Sequence, residues 1–245
     1  MKAGSFALRN TKEILRDRLN LIFGIGFPVV VLVLLTAIQS NIPVDLFRLD
    51  SLTPGVAVFG LSFISLFSGF TIAKDRSSSL MLRLFVSPMT AKDYILGYTV
   101  PLLPMALAQS ILCFGVALLL GMEFRMQIVL VLLVLLPAAV LFIAIGLLCG
   151  SLFTDKQVGG ICGALLTNLT AWLSGIWFDL DLVGGGFKAA ADCLPFAHAV
   201  NAGRFAMAGE YGRIMPELAW VIGYAAVFYL LAVIVFTRKM KSDAR

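Results

Sequence analysis

The 245-residue chain is 60% hydrophobic and 13% charged, whereas soluble domains carry roughly 25% charged residues. This composition predicts an integral membrane protein and excludes an ordinary soluble domain. The formal net charge of +5 would also suit nucleic acid, but the basic residues flank apolar runs, where membrane lipids with anionic headgroups account for them better and no nucleic-acid partner is expected.

Residues 1–20 are expected to form an interfacial amphipathic helix on the cytoplasmic surface. Basic side chains alternate there with a broken apolar stripe, a pattern typical of helices that lie in the headgroup layer. The apolar residues are Phe6, Leu8, Ile14, Leu15 and Leu19, and the basic ones are Lys2, Arg9, Lys12, Arg16 and Arg18. A disordered basic tail is the alternative interpretation.

Six stretches without a charged residue predict an all-α membrane protein with six transmembrane helices, folded as a single transmembrane domain over residues 1–245. Each stretch reaches the roughly 20 residues that a helix needs to cross the hydrocarbon core. They are residues 19–44, 51–73, 94–122, 126–154, 157–178 and 218–237.

The distribution of basic residues predicts the orientation of these spans. Six spans place both termini on the same side of the membrane. Fourteen of the 19 Lys and Arg residues lie in the N-terminal segment, the 74–94 loop, the 153–157 turn and the C-terminal tail. The positive-inside rule therefore predicts that both termini are cytoplasmic.

The 74–94 loop has the pattern of a short amphipathic helix. A serine at 77–79 can cap it, and Ser87-Pro88 ends it because proline disfavours helical geometry in the preceding residue. Two apolar pairs have i,i+4 spacing, namely Leu80 with Leu84 and Met81 with Phe85. One polar pair, Arg76 with Arg83, is seven residues apart. A capping-box spacing from Thr90 to Asp93 begins the next helix. The pattern favours a docking element over a loop that only satisfies the charge bias.

Proline and glycine mark positions where the predicted spans bend or approach closely. Pro101 and Pro104 should bend the third span, and Pro101 leaves the carbonyl of Gly97 without its helical donor. Glycines four apart permit close helix packing, within one subunit or between two. These pairs are Gly146 with Gly150, and Gly159 with Gly163.

The external segment 179–217 is unusually apolar for a loop exposed to water. It predicts half-length helices, with a re-entrant hairpin over 187–204 before the last span. Arg204 should lie at the rim of this hairpin, anchored by Asp192 or Glu210 or by carbonyls freed at the tip, since an unpaired charge in the membrane is costly. A floppy surface loop is the alternative, and His198 is expected to be structural.

Several motifs are absent from the sequence. There is no GxxxxGK[ST] loop for ATP, and neither GxSxG nor HExxH occurs, so no catalytic, cofactor or metal residue is predicted. No carboxylate or lysine lies within the six spans, which argues against carriers coupled to protons or ions.

Two regions of the chain resemble a known family. The first comprises Lys74-Asp75-Arg76, Leu82-Arg83-Leu84, Val86-Ser87-Pro88 and Ile95-Leu96-Gly97. The second comprises Ser174-Gly175-Ile176-Trp177-Phe178, Leu194-Pro195-Phe196 and the run from Asn201 to Arg204. Both resemble ABC-2 type permeases, the membrane subunits of ATP-driven exporters. Many members have Gly-Thr where this chain has Ser77-Ser78-Ser79.

The resemblance implies partners as well as a fold. Two permease subunits, identical or homologous, would bind two separate ATPase subunits that carry ATP and Mg, in the inner membrane of a bacterium. The helix over 77–87 would be the coupling helix that enters a cleft on the ATPase. The residues implied in coupling are Asp75, Arg76, Leu80, Arg83, Leu84, Phe85 and Pro88.

The resemblance also suggests a path and an outer gate. Spans two and five line the pathway in similar exporters, and here they carry hydroxyls, an amide and aromatic rings that would suit an amphipathic substrate. These residues are Ser62, Ser65, Phe67, Ser68, Thr167, Asn168 and Trp172, and for each of them ordinary interhelical packing or hydrogen bonding is the alternative. Pro195 and Arg204 would belong to the outer gate. Lipids, drugs, peptides and glycans all remain possible substrates.

Two other classes of protein were weighed against the exporter. A stand-alone secondary carrier or channel would favour inverted repeats between spans 1–3 and 4–6, and none is found. An intramembrane enzyme would need acids, histidines or nucleophiles clustered within the spans, and the sequence has no such cluster.

Overall fold

The computed structural model describes residues 2–43, 45–78 and 91–243, and all regular structure in these ranges is helical. This confirms the predicted all-α class. The helices are α1 (Lys2–Arg16), α2 (Arg18–Gln39), α3 (Leu49–Ser77), α4 (Ala91–Leu119), α5 (Gln127–Leu152), α6 (Asp155–Val158), a π-helical segment (Gly159–Leu166), α7 (Thr167–Leu173), α8 (Leu180–Val183), α9 (Gly185–Cys193), α10 (Pro195–Ala208) and α11 (Tyr211–Asp243).

Five of the described helices are long and apolar enough to cross a membrane, namely α2, α3, α4, α5 and α11. The fifth predicted span, residues 157–178, differs from them. There α6, the π-helical segment and α7, of 4, 8 and 7 residues, follow one another without a break and end at Leu173. Their combined length of roughly 28 Å at an α-helical rise is close to the ~30 Å hydrocarbon core, so the sixth span stays a prediction.

The core of the bundle is centred on α3, which is buried along most of its length and packs most extensively on α5. Glycine makes this contact possible. A Cβ atom on Gly146 would lie 2.1 Å from the Ser65 carbonyl oxygen, and one on Gly150 would lie 2.4 Å from that of Gly69. The pair Gly146 and Gly150 therefore packs within one subunit. A Cβ atom on Gly159 or Gly163, the second pair in the sequence, would lie at ordinary contact distances from its neighbours.

The outer helices α2 and α11 differ from α3 in having mostly exposed apolar surfaces. Only 17% of the most apolar stretch of each is buried. Such surfaces suit lipid chains or another membrane helix rather than water. The described bundle thus has a buried centre and two flanking helices available for contacts outside the subunit.

The external segment contains three short helices, α8 to α10, before α11 begins. Pro195 occupies the first turn of α10, where its missing N–H costs nothing, and Gly209, with φ of 78°, ends it in the left-handed conformation that glycine favours. The 14 residues of α10 span about 21 Å, too short to cross a bilayer. The helix packs against α3, α5 and α11, and the re-entrant hairpin stays a prediction.

His198 lies on α10 and has structural contacts at both ring nitrogens. Its Nδ1 contacts the Glu217 carboxylate, and its Nε2 lies 2.8 Å from the Asp192 carbonyl oxygen. Its ring stacks on Trp220 with centroids 5.1 Å apart. These contacts tie the start of α10 to α11.

Cysteine labelling will test the orientation and the sixth span. Cys193 is exposed and the other three cysteines are buried, so an impermeant thiol reagent should label intact cells through Cys193 and should fail after Cys193→Ser. In that background, Lys156→Cys and Ser242→Cys should react only in opened cells, because the charge bias puts both sites in the cytoplasm. Labelling of Ser242→Cys in intact cells without labelling of Cys193 would show that residues 155–173 do not cross, whereas labelling of both Lys156→Cys and Ser242→Cys would contradict the orientation.

Candidate functional site at the base of the 74–94 loop

The structure describes both ends of the loop that the sequence singles out. Helix α3 continues to Ser77, so it extends into the serines expected to cap a new helix, and α4 begins at Ala91. Of the seven predicted coupling residues, Asp75 and Arg76 are described. The others lie outside the described residues: Leu80, Arg83, Leu84, Phe85 and Pro88.

Asp75 is the most constrained residue at this base. Its side chain is 2% exposed, and it lies in the last turn of α3, where the helix dipole disfavours negative charge. Arg9 of α1 compensates with two hydrogen bonds, Nη1 to Oδ2 at 2.7 Å and Nη2 to Oδ1 at 2.9 Å. The Tyr98 hydroxyl of α4 donates a third at 2.8 Å. Bidentate arginine–carboxylate pairs are among the strongest side-chain contacts.

The Arg9 side chain links this buried acid to the surface of α1. It is 38% exposed and also lies 2.6 Å from the Glu13 carboxylate. Partial burial lowers the pKa of Arg9, but the hydrogen bond and negative charge of Asp75 outweigh that effect and raise it. The guanidinium therefore stays charged and holds α1 against the end of α3.

A second set of contacts fixes α1 to the start of α4. Pro101 has no N–H for the carbonyl of Gly97, and the buried Asn10 side chain donates to that carbonyl from 3.0 Å. The Phe6 ring packs edge-on against Tyr98 with centroids 5.0 Å apart. A Cβ on Gly97 would lie 2.3 Å from this ring, so glycine allows Phe6 to approach.

The residues on either side of Asp75 contact two further elements. Lys74 lies 3.4 Å from the carboxylate of Asp17, between α1 and α2. Arg76 donates to the carbonyls of Gly150 at 2.8 Å and Phe153 at 3.4 Å, at the C-terminal end of α5, where a cation is favoured. Three consecutive charged residues thus attach the end of α3 to α1, α4 and α5 and to the junction between α1 and α2, and we call them the loop base.

The second predicted site, at the external end, is organised by Arg204 of α10. Its Nε donates to the Ser51 carbonyl at 3.1 Å, and its Nη2 donates to the Gly175 carbonyl at 2.9 Å. These carbonyls belong to the start of α3 and to the turn after α7, not to the tip of a hairpin. Glu210, one of the expected acids, instead pairs with Arg213 at 2.8 Å.

The sequence model of the ABC-2 type transporter family matches residues 4–208. The match extends from α1 to α10 and so includes the loop base and Arg204. The chain belongs to the ABC-2 type transporter family. It is a multi-pass membrane component of a transporter and not itself an enzyme. Comparison with curated proteins gives no match.

Most of the predicted path residues of this permease lie inside the subunit. Ser62 donates to the Phe59 carbonyl at 2.6 Å, and its Oγ lies 3.3 Å from the Thr167 hydroxyl. Ser65 donates to the Ser62 carbonyl at 2.6 Å, and Ser68 donates to the Ile143 carbonyl at 3.0 Å. These serines are fully buried, so in this conformation their hydroxyls bond inside the bundle, within α3 or to neighbouring helices, rather than face an open path.

The remaining path residues divide between the core and the surface. Phe67 is buried against α2, where its ring atoms lie 2.4 Å from a Cβ built on Gly24. Asn168 and Trp172 are exposed on one face of α7 together with Leu169, and this face continues to Leu165 of the π-helical segment. The structure therefore separates the predicted set into five internal residues and two on an outward face: Ser62, Ser65, Phe67, Ser68 and Thr167 on one side, and Asn168 and Trp172 on the other.

Sequence reasoning missed the partners of Asp75. It treated Arg9 as one of several basic residues facing lipid headgroups, and it gave no role to Asn10 or Tyr98. One signal was available: Asp75 follows directly on an apolar span, and a carboxylate there needs a cation from another segment. Nothing in the spacing shows which of the basic residues provides it.

Replacing Arg9 will test the strength of the loop base. Among the described residues, Arg9→Gln leaves the buried Asp75 carboxylate with Tyr98 as its side-chain donor, so we expect the free energy of unfolding to fall by an amount near the low end of the ~3–5 kcal/mol typical of broken buried pairs. Tyr98→Phe removes one hydrogen bond to a charged group and should cost about 1.5–3 kcal/mol.

The measurement is denaturant unfolding of the purified permease in detergent micelles, with Arg16→Gln as the control. Arg16 is on the same helix and exposed, so its replacement should change the free energy of unfolding by less than about 0.5 kcal/mol. Equal effects of Arg9→Gln and Arg16→Gln would show that the Arg9–Asp75 contact contributes no stability.

Proposed function

We propose that this chain is the permease subunit of an ATP-driven exporter, and that a separate ATPase subunit acts on it through the 74–94 loop. The observation that supports this most is the loop base. Because Lys74, Asp75 and Arg76 contact different helices, a displacement of the loop would move α1, α4 and α5 with the end of α3. A loop without such contacts would bend without moving the bundle.

The packing of α3 gives that displacement a route through the subunit. The backbones of α3 and α5 are in direct contact at Gly146 and Gly150, so sliding one helix past the other would create clashes. Close-packed interiors transmit strain instead of absorbing it. Movement at the cytoplasmic end of α3 would therefore reach its external end at Ser51, the residue that Arg204 contacts.

The partner ATPase would carry the nucleotide and Mg, since this sequence has no phosphate-binding loop. A second permease copy or a homologous permease would complete the transporter. Exposed apolar surface on α2, α7 and α11 is available for that contact. Asn168 and Trp172 would then face the space between subunits, and the internal serines would reach it only if α3 and α7 separate.

The proposed setting is the inner membrane of a bacterium, with both termini in the cytoplasm. The excess of basic residues on the side of the loop supports this orientation. Substrate would leave on the opposite side, past Pro195 and Arg204. An amphipathic or lipid-like compound, a drug, a peptide or a glycan would each suit a pathway without acids or lysines.

A double substitution in the loop will test the coupling. Leu84→Asp with Phe85→Asp should leave the permease in the membrane and detach its ATPase. The loss of two apolar side chains, each contributing about 1.5–3 kcal/mol when buried, should weaken the association by roughly 100-fold or more. Co-purification of the ATPase and substrate-stimulated ATP hydrolysis are the two measurements.

The matched control is Leu182→Asp with Val183→Asp, an apolar pair in α8 whose side chains are 79% and 52% exposed and which lies in the predicted external segment. This control should retain the ATPase. Unchanged ATP hydrolysis in the Leu84/Phe85 variant would show that the loop is not the coupling element. Transport without any ATPase would favour a stand-alone carrier or channel instead.

A further inference from the structure

The external end of the subunit contains a cavity of about 610 Å³, lined by residues of α8 to α10 and of the segments beside α3 and α7. Sites for small molecules typically measure about 300–1,000 Å³. The lining residues that bear on its chemistry are Ser174, Trp177, Asp179, Asp192, Asn201 and Arg204. They include hydrogen-bond donors and acceptors, and charges of both signs.

Ser174 is an unsatisfied group at this cavity. The residue is 1% exposed, and its Oγ has no hydrogen-bond partner among the described residues. A buried polar group without a partner costs about 1–3 kcal/mol. A polar group bound in the cavity would remove this cost.

Arg204 provides a positive charge that the described residues do not neutralise by contact. Its guanidinium donates to two carbonyl oxygens, which are uncharged, and it takes part in none of the salt bridges found in the described ranges. A guanidinium has five N–H donors, so donors remain after these two bonds. An anionic oxygen is their strongest acceptor.

Two acids on the same lining are likewise without a salt-bridge partner in the described part of the chain. The basic residues nearby are already paired, Lys188 with Asp181 and Arg213 with Glu210. The carboxylates of Asp179 and Asp192 make no such pair, although one oxygen of Asp179 accepts from the backbone at Asp181. The cavity therefore offers one cation and two acids that form no salt bridge with a described residue, although the charges of Asp179 and Asp192 act on Lys188, and that of Asp179 on Arg204, from beyond contact distance.

We propose that this cavity binds a zwitterionic group, with its anionic oxygens on Arg204 and Ser174 and its ammonium group on Asp179 and Asp192. Trp177 lies on the same lining, and an aromatic face attracts an ammonium ion. The phosphoethanolamine headgroup of a lipid and a free zwitterion share this chemistry. The proposal goes beyond the export function, because binding would need neither ATP nor the ATPase.

Calorimetry on the purified subunit will test the site with phosphorylethanolamine as the probe. Phosphate alone and ethanolamine alone should each bind at least about tenfold more weakly, because each lacks one charge-assisted contact. Arg204→Gln should weaken binding of the probe by at least about tenfold on the same basis. Arg125→Gln, in an external loop outside this cavity, should have no effect.

The double variant Asp179→Asn with Asp192→Asn provides a test that does not depend on the folding of Arg204→Gln. It should also weaken binding of the probe by at least about tenfold. A second arm asks which source is preferred. The subunit is reconstituted in nanodiscs for this arm. If phosphatidylethanolamine co-purifies and competes with the soluble probe, the ligand is the lipid headgroup. If the probe binds without such competition, the ligand is a free zwitterion. Equal binding of phosphate and phosphorylethanolamine, no binding of the probe, or unchanged binding in all the variants would overturn the proposal.

Discussion

The carboxylate of Asp75 imposes the constraint on which the loop end of this permease depends. It is 2% exposed and lies where the carbonyl end of α3 already carries partial negative charge. An ion in that position is stable only with a charged partner and filled hydrogen-bonding sites. Arg9 and Tyr98 meet both requirements. Because these residues come from α1 and α4, satisfying one carboxylate also fixes the position of two helices.

The same helix is held at its other end by an arginine from a distant part of the chain. Arg204 of α10 binds the Ser51 carbonyl at the start of α3, while Arg9 of α1 binds Asp75 at its end. The 29 residues of α3 correspond to roughly 43 Å. Between the two arginines, α3 is buried and in backbone contact with α5. One rigid element thus connects the 74–94 loop to the cavity at the other end of the subunit, which supports the proposal that the two ends move together.

The class of fold and the family could be predicted from the sequence, because long apolar runs and short motifs are formed by residues that are neighbours in the chain. The sequence also showed that Pro101 leaves the Gly97 carbonyl without a donor. It could not show that Asn10 supplies one, since that contact joins residues 87 positions apart. The same limit applies to Arg9 with Asp75. For the path residues, helical spacing placed the serines correctly on α3, but only the packing shows that they bond internally and that Asn168 and Trp172 face outward.

We propose that the Arg9–Asp75 contact carries motion from the ATPase into the bundle. A double-mutant cycle on substrate-stimulated ATP hydrolysis tests it most directly, using Arg9→Gln, Asp75→Asn and both together in the reconstituted transporter. If the residues act through each other, either single change should abolish most of the stimulation and the double variant should be no worse than the more affected single variant. Additive losses, or stimulation that persists in both single variants while the ATPase stays bound, would contradict the claim.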